Sequence, residues 1–444
     1  MLINVSPSGE PAGAVGEPPP STPVIPQSEP ATLLRPWAGY ELLDVPHTAR
    51  ALQAIWSGDP ATVVRSPPGA GKTRFVSLAA AALGTRAGLR VGLAAQTRMQ
   101  AIELATRVAA LTDRVVLVWK QDDPETPRIP GLRVVTARHV TSRFRNGGVI
   151  VATAESWMYR NADAMACDVM MIDEAWQMSA AKLEPLGAFA QQIVCVGDPG
   201  QIPPMVTAQI PARWERDPHA PHLPSPEVLM RKFPEVTTVV DLPHTWRLGS
   251  DTTALIQPVF YPQQPFTSRR PPTAVRRPDG EALPEVVRRT VSASAGRADP
   301  RATAAVARRV DELLDGHVLE REGHPTRPLE ASDIAVVCPH VIQSSAVRAL
   351  LEAHPGVVVG TANQLQGSER PATVVLHPLI GHRGIGPFAT DLGRACVLLT
   401  RHSAHLTIVT DPAIEDVLFA APAGTPGAVE HLRLLERLSL LPQV

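Results

Sequence analysis

The chain has 444 residues, 44% apolar and 19% charged, with a formal net charge of −1. That length gives room for two or three domains with cores of their own, and the neutral balance excludes a chain-wide basic coat while allowing a local basic groove. The four cysteines are scattered without a C-x-x-C pair, and no apolar run approaches the roughly 18 residues of a membrane span, so buried thiols in a cytoplasmic protein are expected and a zinc site or membrane anchor is not.

Residues 1–37 are rich in Pro, Ser, Gly and Ala and read as a disordered tail able to dock a protein partner. The amphipathic stretch from about 38 to 57 predicts a helix capped near Asp44, with Pro46 in its first turn. Strands are predicted at 61–65, 90–95, 115–118, 148–152, 169–172 and 193–196, with helices at about 72–83 and 97–110 between the early ones. Near-continuous apolar strands separated by helices imply a parallel sheet covered on both faces. Between about 258 and 300 the pattern lapses into Pro and Arg pairs and reads as an irregular insertion. Strands resume at 334–338, 357–361, 373–376 and 406–410, and a Leu-rich helix is expected near 427–440. Two successive α/β units, divided close to 245, account for this order.

The segment S-P-P-G-A-G-K-T at 66–73 lies between a strand and a helix, the context a phosphate-binding P-loop requires. Only four of the 42 basic residues are lysines, so one inside G-K-T stands out. Backbone N–H groups of such a turn wrap a phosphate, and the helix N-terminus adds partial positive charge. Gly69 and Gly71 permit backbone angles that a side chain forbids, while Ser66 and Ala70 complete the turn. Lys72 is placed for the β- and γ-phosphates of ATP and Thr73 for Mg²⁺. Asp173 and Glu174 end an apolar strand, where α/β proteins bind ligands. There Asp173 suits the metal shell and Glu174 the base for an attacking water, although an acidic pair also caps helices. Gly197-Asp198 at the next strand end leads to Gln201, suited to sensing a γ-phosphate.

These segments resemble those of superfamily 1 helicases, in particular the type B branch of DNA and RNA helicases that includes the nonsense-mediated-decay helicase. The matching residues are S-P-P-G-A-G-K-T (66–73), D-E-A-W-Q (173–177), G-D-P-G-Q-I-P-P (197–204), T-W-R (245–247), V-G-T-A-N-Q-L-Q-G-S-E (359–369) and L-T-R (399–401). The resemblance spans about 43–411. It implies two tandem RecA-like P-loop NTPase domains, 38–245 and 246–444, with ATP and Mg²⁺ between them. Arg247 and Arg401 match two arginines that reach the γ-phosphate, and Glu369 matches a glutamate that bonds the ribose. Thr97, Thr153 and Thr361 match contacts to nucleic-acid phosphate, with helix caps or strand ends as the competing reading. The chain departs from the family at His47, where a glutamine reads adenine, and at Ser66, Trp246, Leu365 and Asn363.

The activity implied is that of a nucleic-acid-stimulated ATPase, a 5′→3′ helicase or single-strand translocase, acting on single-stranded DNA or RNA. The alternative is an ATP-gated switch that recruits partners through its tail and insertion. Arg138, Arg143 and Arg145 around Phe144, and Arg269, Arg270, Arg276 and Arg277, are each either a backbone-tracking patch or a solvated surface. No feature indicates an oligomer.

Overall fold

The computed structural model describes residues 37–140, 144, 146–206, 209–293, 296–386 and 388–444. The expected disordered tail lies, but for Trp37, outside the described residues, as do Arg143 and Arg145. Helix α1 (Pro46–Ser57) opens with Pro46 at its first position; its N-cap is Val45 rather than Asp44, and no side chain caps it.

The first sheet contains β1 (Ala61–Arg65), β2 (Arg90–Ala95), β3 (Val115–Val118), β4 (Arg133–Val135), β5 (Gly148–Thr153), β6 (Cys167–Ile172), β7 (Ala190–Gly197) and β8 (Thr237–Asp241). All pair in parallel, in the order β4-β3-β5-β2-β6-β7-β1-β8. Successive side chains face opposite sides of a strand. Val64 therefore packs with Leu52, Phe75 and Leu83, while Val63, equally buried, joins the other core with Trp157 and Trp176. Helices α2 (Lys72–Thr85) and α3 (Arg98–Ala109) cover the former face.

The second sheet contains β9 (Val286–Thr290), β10 (Ile334–Cys338), β11 (Val358–Thr361), β12 (Arg370–Leu376) and β13 (His402–Thr410). These five are also parallel, ordered β9-β13-β12-β10-β11. Strand β9 corrects the expectation of an irregular 258–300, since V-V-R-R-T is an edge strand beside β13. Nearby, Thr273–Arg276, Val318–Arg321 and Arg327–Pro328 form a small antiparallel sheet.

Two basic patches are corrected as well. Arg270 donates to the Ser403 carbonyl, Arg276 pairs with Glu320 and Arg277 with Glu281, so these three are not a free basic loop. Phe144 is buried against Gly148 and offers no stacking face. All four cysteines are buried and unpaired. Among the described residues no helix is long and apolar enough to cross a membrane.

The second unit buries several histidines. Burial, reinforced by the Arg309 guanidinium, pushes His405 down to about 3, and burial pushes His431 down to about 4. Each is neutral in the fold and takes up a proton when the chain unfolds below the ordinary histidine value. Their contribution to stability is therefore complete above about pH 6.5 and is lost as pH falls from there toward the folded values. Between pH 6.5 and 5 each should cost about 2 kcal/mol. Urea-unfolding midpoints at pH 7.5 and pH 5 measure this, and a flat profile would mean that the two rings are solvated.

Candidate nucleotide site and the groove beside it

Three neighbouring strands deliver the site. Strands β6, β7 and β1 are consecutive in the sheet, with Ile172 opposite Cys195 and Arg65 opposite Gly197. Their C-terminal ends thus bring Asp173-Glu174, Asp198 and the 66–73 turn side by side. Gly69 and Gly71 both have left-handed backbone, φ 74° and 89°. A Cβ at Gly69 would stand 2.4 Å from the Arg247 Cβ, so glycine is required twice over there. The turn is a P-loop. Ser66 is buried and its N–H donates to the Gly197 carbonyl at 2.9 Å, so it anchors the turn instead of lining its rim.

The Lys72 ammonium lies 3.6 Å from Glu174 Oε1 and 4.0 Å from Asp198 Oδ2. Thr73 Oγ1 donates to Asp173 Oδ2 at 3.0 Å. Glu174 itself has a left-handed backbone, φ 53°, an uncommon conformation for a non-glycine residue that aims its side chain at Lys72. Asp198 accepts from Gln201 Nε2 at 2.8 Å and from the Gly200 N–H at 3.0 Å.

From the other side, Arg247 Nε pairs with Glu369 at 2.6 Å and Arg247 Nη1 donates to the Thr400 carbonyl at 3.3 Å. Arg401 is fully buried, donating to the Val397 carbonyl and to Thr400 Oγ1. Glu369 and Arg401 precede the neighbouring strands β12 and β13, so the N-terminal edge of the second sheet faces the C-terminal edge of the first. The T-W-R segment is fastened to the P-loop directly: Thr245 Oγ1 donates to the Pro68 carbonyl at 2.7 Å and the Trp246 N–H to the Gly69 carbonyl at 2.9 Å.

Burial, reinforced by the negative charge of Glu174, pushes Asp173 up to about 7. Asp198 is raised by burial too, against the pull of Lys72. Burial and the neighbouring Arg247 lower Arg401 to about 10, still charged at neutral pH, while Asp198 and Glu174 oppose that shift. A hydroxyl and a buried carboxylate 3.0 Å apart suit a hard cation that keeps most of its ligands as water and phosphate oxygens, which is the Mg²⁺ pattern. No cluster of three or more His, Cys, Asp or Glu among the described residues offers an all-protein metal cage.

Two of the three threonines are helix caps, and the third bonds within its own turn. Thr97 Oγ1 accepts from the Gln100 N–H in a capping box, and Thr153 Oγ1 accepts from the Ser156 N–H. Thr361 is buried and its hydroxyl is engaged with Gln364. Thr97 and Thr153 nonetheless line one cleft of about 550 Å³, with Arg98, Trp119, Lys120 and Tyr159. A second cleft of about 350 Å³ shares Gln96 and Glu155 with it and continues past Lys182 to Asn363 and Gln366. Together they make a trough along the strand ends, from the first sheet to the second. Thr361 does not line it. His47 is exposed on the first turn of α1, and after burial and Arg269 it adds to the lowering of His244. Among the described residues no hydrogen bond or ion pair links the His47 side chain to the phosphate site.

Sequence reasoning gave no role to Thr245 or Tyr261, and only a passing one to Asp198. Tyr261 donates to Asp198 Oδ1 at 2.7 Å across a gap of 63 residues, a pairing with no sequence signal.

The family described as AAA domain matches residues 47–225, under half of the chain. That span holds the P-loop, Asp173, Glu174 and Gln201, and stops short of Arg247, Glu369 and Arg401. No curated protein matches the chain. Similar solved structures include a PRRSV helicase at 14% identity and TM-score 0.42, covering 82% of this chain and 55% of that one. Arterivirus nonstructural protein 10, a helicase, has 15% identity and TM-score 0.43 over 82% of this chain and 62% of its own. The same viral protein in complex with DNA has 16% identity and TM-score 0.43, covering 83% and 65%. The chain spans less than two thirds of the length of each.

Proposed function

We propose that the chain is a nucleic-acid-stimulated ATPase that moves along single strand, built as two RecA-like halves, 38–245 and 246–444, with ATP between them. The observation that carries this reading is the two-sided site, with Lys72, Thr73, Asp173 and Glu174 from the first sheet facing Arg247, Glu369 and Arg401 from the second unit. A nucleotide-binding module alone has no use for two arginines brought beside its acidic residues by later segments of the chain.

In this mechanism the phosphates displace Glu174 and Asp198 from Lys72. Thr73 and Asp173 would hold Mg²⁺, which would supply charge neutralisation at the phosphates. Glu174, freed from Lys72, takes the proton of the attacking water, and Gln201 orients that water. Arg247 exchanges Glu369 for the γ-phosphate, releasing Glu369 to the ribose. Arg401 adds positive charge where negative charge grows in the transition state. The trough from Thr97 to Gln366 carries the strand, gripped in turn by each half as the cleft closes and opens. The 5′→3′ direction and the kinship to the type B branch rest on the motif resemblance.

The deciding experiment is the ATPase rate with single-stranded DNA, with single-stranded RNA and with neither. Stimulation by either supports a motor. Slow hydrolysis indifferent to both supports a switch.

His47 and Trp246 bear on the choice of base. An exposed imidazole stands where a bidentate amide would read adenine, and the Trp246 indole is 51% exposed beside Gly69, offering a π-face that any base can use. Loss of one such contact is worth roughly 1–3 kcal/mol. GTP and CTP should therefore be hydrolysed within about tenfold of ATP. Strict ATP selectivity in a competition assay would sink this expectation.

A further inference from the structure

Tyr261 follows helix Ser250–Phe260, is fully buried, and does not belong to any of the segments that build the nucleotide site. Its hydroxyl donates to Asp198 Oδ1 at 2.7 Å and lies 3.2 Å from Cys396 Sγ. Burial, with Asp198 adding to it, keeps the phenol well above its ordinary value, so it serves as a standing donor. Around it the fit is close. A Cβ at Gly200 would stand 2.4 Å from the Tyr261 ring, and Phe266 meets the ring edge-on at 5.3 Å.

On one side of this hydroxyl is the phosphate-sensing turn, where Asp198 holds Gln201 and faces Lys72. On the other is helix Leu392–Leu399. Thr400 Oγ1 donates to the Cys396 carbonyl at 2.8 Å and receives the Arg401 guanidinium at 3.1 Å. An unbroken line of contacts thus runs from Arg401 through Thr400, Cys396 and Tyr261 to Asp198 and Lys72. The charged or titratable groups facing Asp198 are Lys72, Glu174, Tyr261, Cys396 and Arg401.

We propose that Tyr261 is a positioning residue that ties the Asp198–Gln201 turn to the helix that leads into Arg401, so that γ-phosphate sensing on one half and the arginine on the other move together. The inference rests on the ATPase reading. A buried phenol with a purely structural role would act on stability and not selectively on turnover.

The test is Tyr261→Phe in the full chain, which keeps the ring and its contacts with Gly200 and Phe266. Stimulated kcat should fall about 10-fold, the scale of one hydrogen bond to a charged group, with KM for ATP within about twofold of wild type and the unfolding midpoint little moved. Because Tyr261 acts through Asp198, the double variant Tyr261→Phe/Asp198→Asn should be no slower than Asp198→Asn alone. Unchanged kcat, a loss expressed in KM, or additive losses in the double variant would each overturn the proposal while leaving the ATPase reading intact. A wild-type chain without Lys72-dependent hydrolysis would remove both, and that is visible before any Tyr261 variant is made.

Discussion

Lys72→Ala should lower nucleotide hydrolysis by roughly 10²–10³-fold or more, the scale of removing a preorganised positive group from a phosphoryl-transfer site. Among the described residues the ammonium is the one cation paired with both Glu174 and Asp198, and it also tempers the raised value of Asp173. Without it, three acidic groups stand together at the mouth of the P-loop, with the more distant Arg401 left to offset them in part. Asp173 and Asp198, already raised by burial, hold their protons more tightly, and a polyphosphate then meets a neutral or repulsive surface. The fold should survive, because protonation relieves the repulsion and Lys72 supplies little to either core. Phosphate release measures the loss, with circular dichroism as the control. Turnover like wild type in a folded variant would remove the ATPase reading altogether.

How much of this was legible in the sequence depended on the physical distinctness of each signal. Strands such as V-V-L-V and I-V-C-V announce themselves because a parallel strand buried on both faces needs apolar residues at every position. Strand β9 was hidden for the opposite reason. It is an edge strand, so Arg288 and Arg289 are tolerated, Arg289 by pairing with Glu312 and Arg288 by donating to the Leu441 carbonyl. Strand β8, T-T-V-V-D, is also an edge, with only Val240 fully buried. In the site, the P-loop was readable because its backbone conformation demands glycines at fixed positions. What could not be read were pairings set by tertiary placement: Glu369 on Arg247 across 122 residues, and Tyr261 on Asp198. Thr97 and Thr153 carry both sequence readings at once, since each caps a helix and also lines the cleft beside the site.

Arg401→Ala should cost roughly 10²-fold or more in stimulated ATPase while barely changing nucleotide affinity. Burial, reinforced by a second cation, Arg247, lowers its guanidinium to about 10. A buried cation beside a partly exposed one is unfavourable unless an anion is shared between them. Asp198 and Glu174 supply part of that negative charge at longer range, and Glu369 pairs Arg247 alone. A γ-phosphate entering the P-loop would satisfy both arginines at once, most fully when its charge spreads in the transition state. In the proposed mechanism ground-state binding falls to the P-loop backbone and Lys72, so the loss is expected in kcat. Alanine also empties a buried site and releases the Val397 carbonyl and Thr400 hydroxyl, so stability must be followed alongside activity. Arg401→Lys separates the two effects: it keeps the charge and much of the volume but loses the planar fork, and it should recover folding without recovering turnover. If Arg401→Ala stays folded and hydrolyses ATP at the wild-type rate, the second unit takes no part in the chemistry, and the two-sided motor reduces to a P-loop domain with an unrelated partner unit.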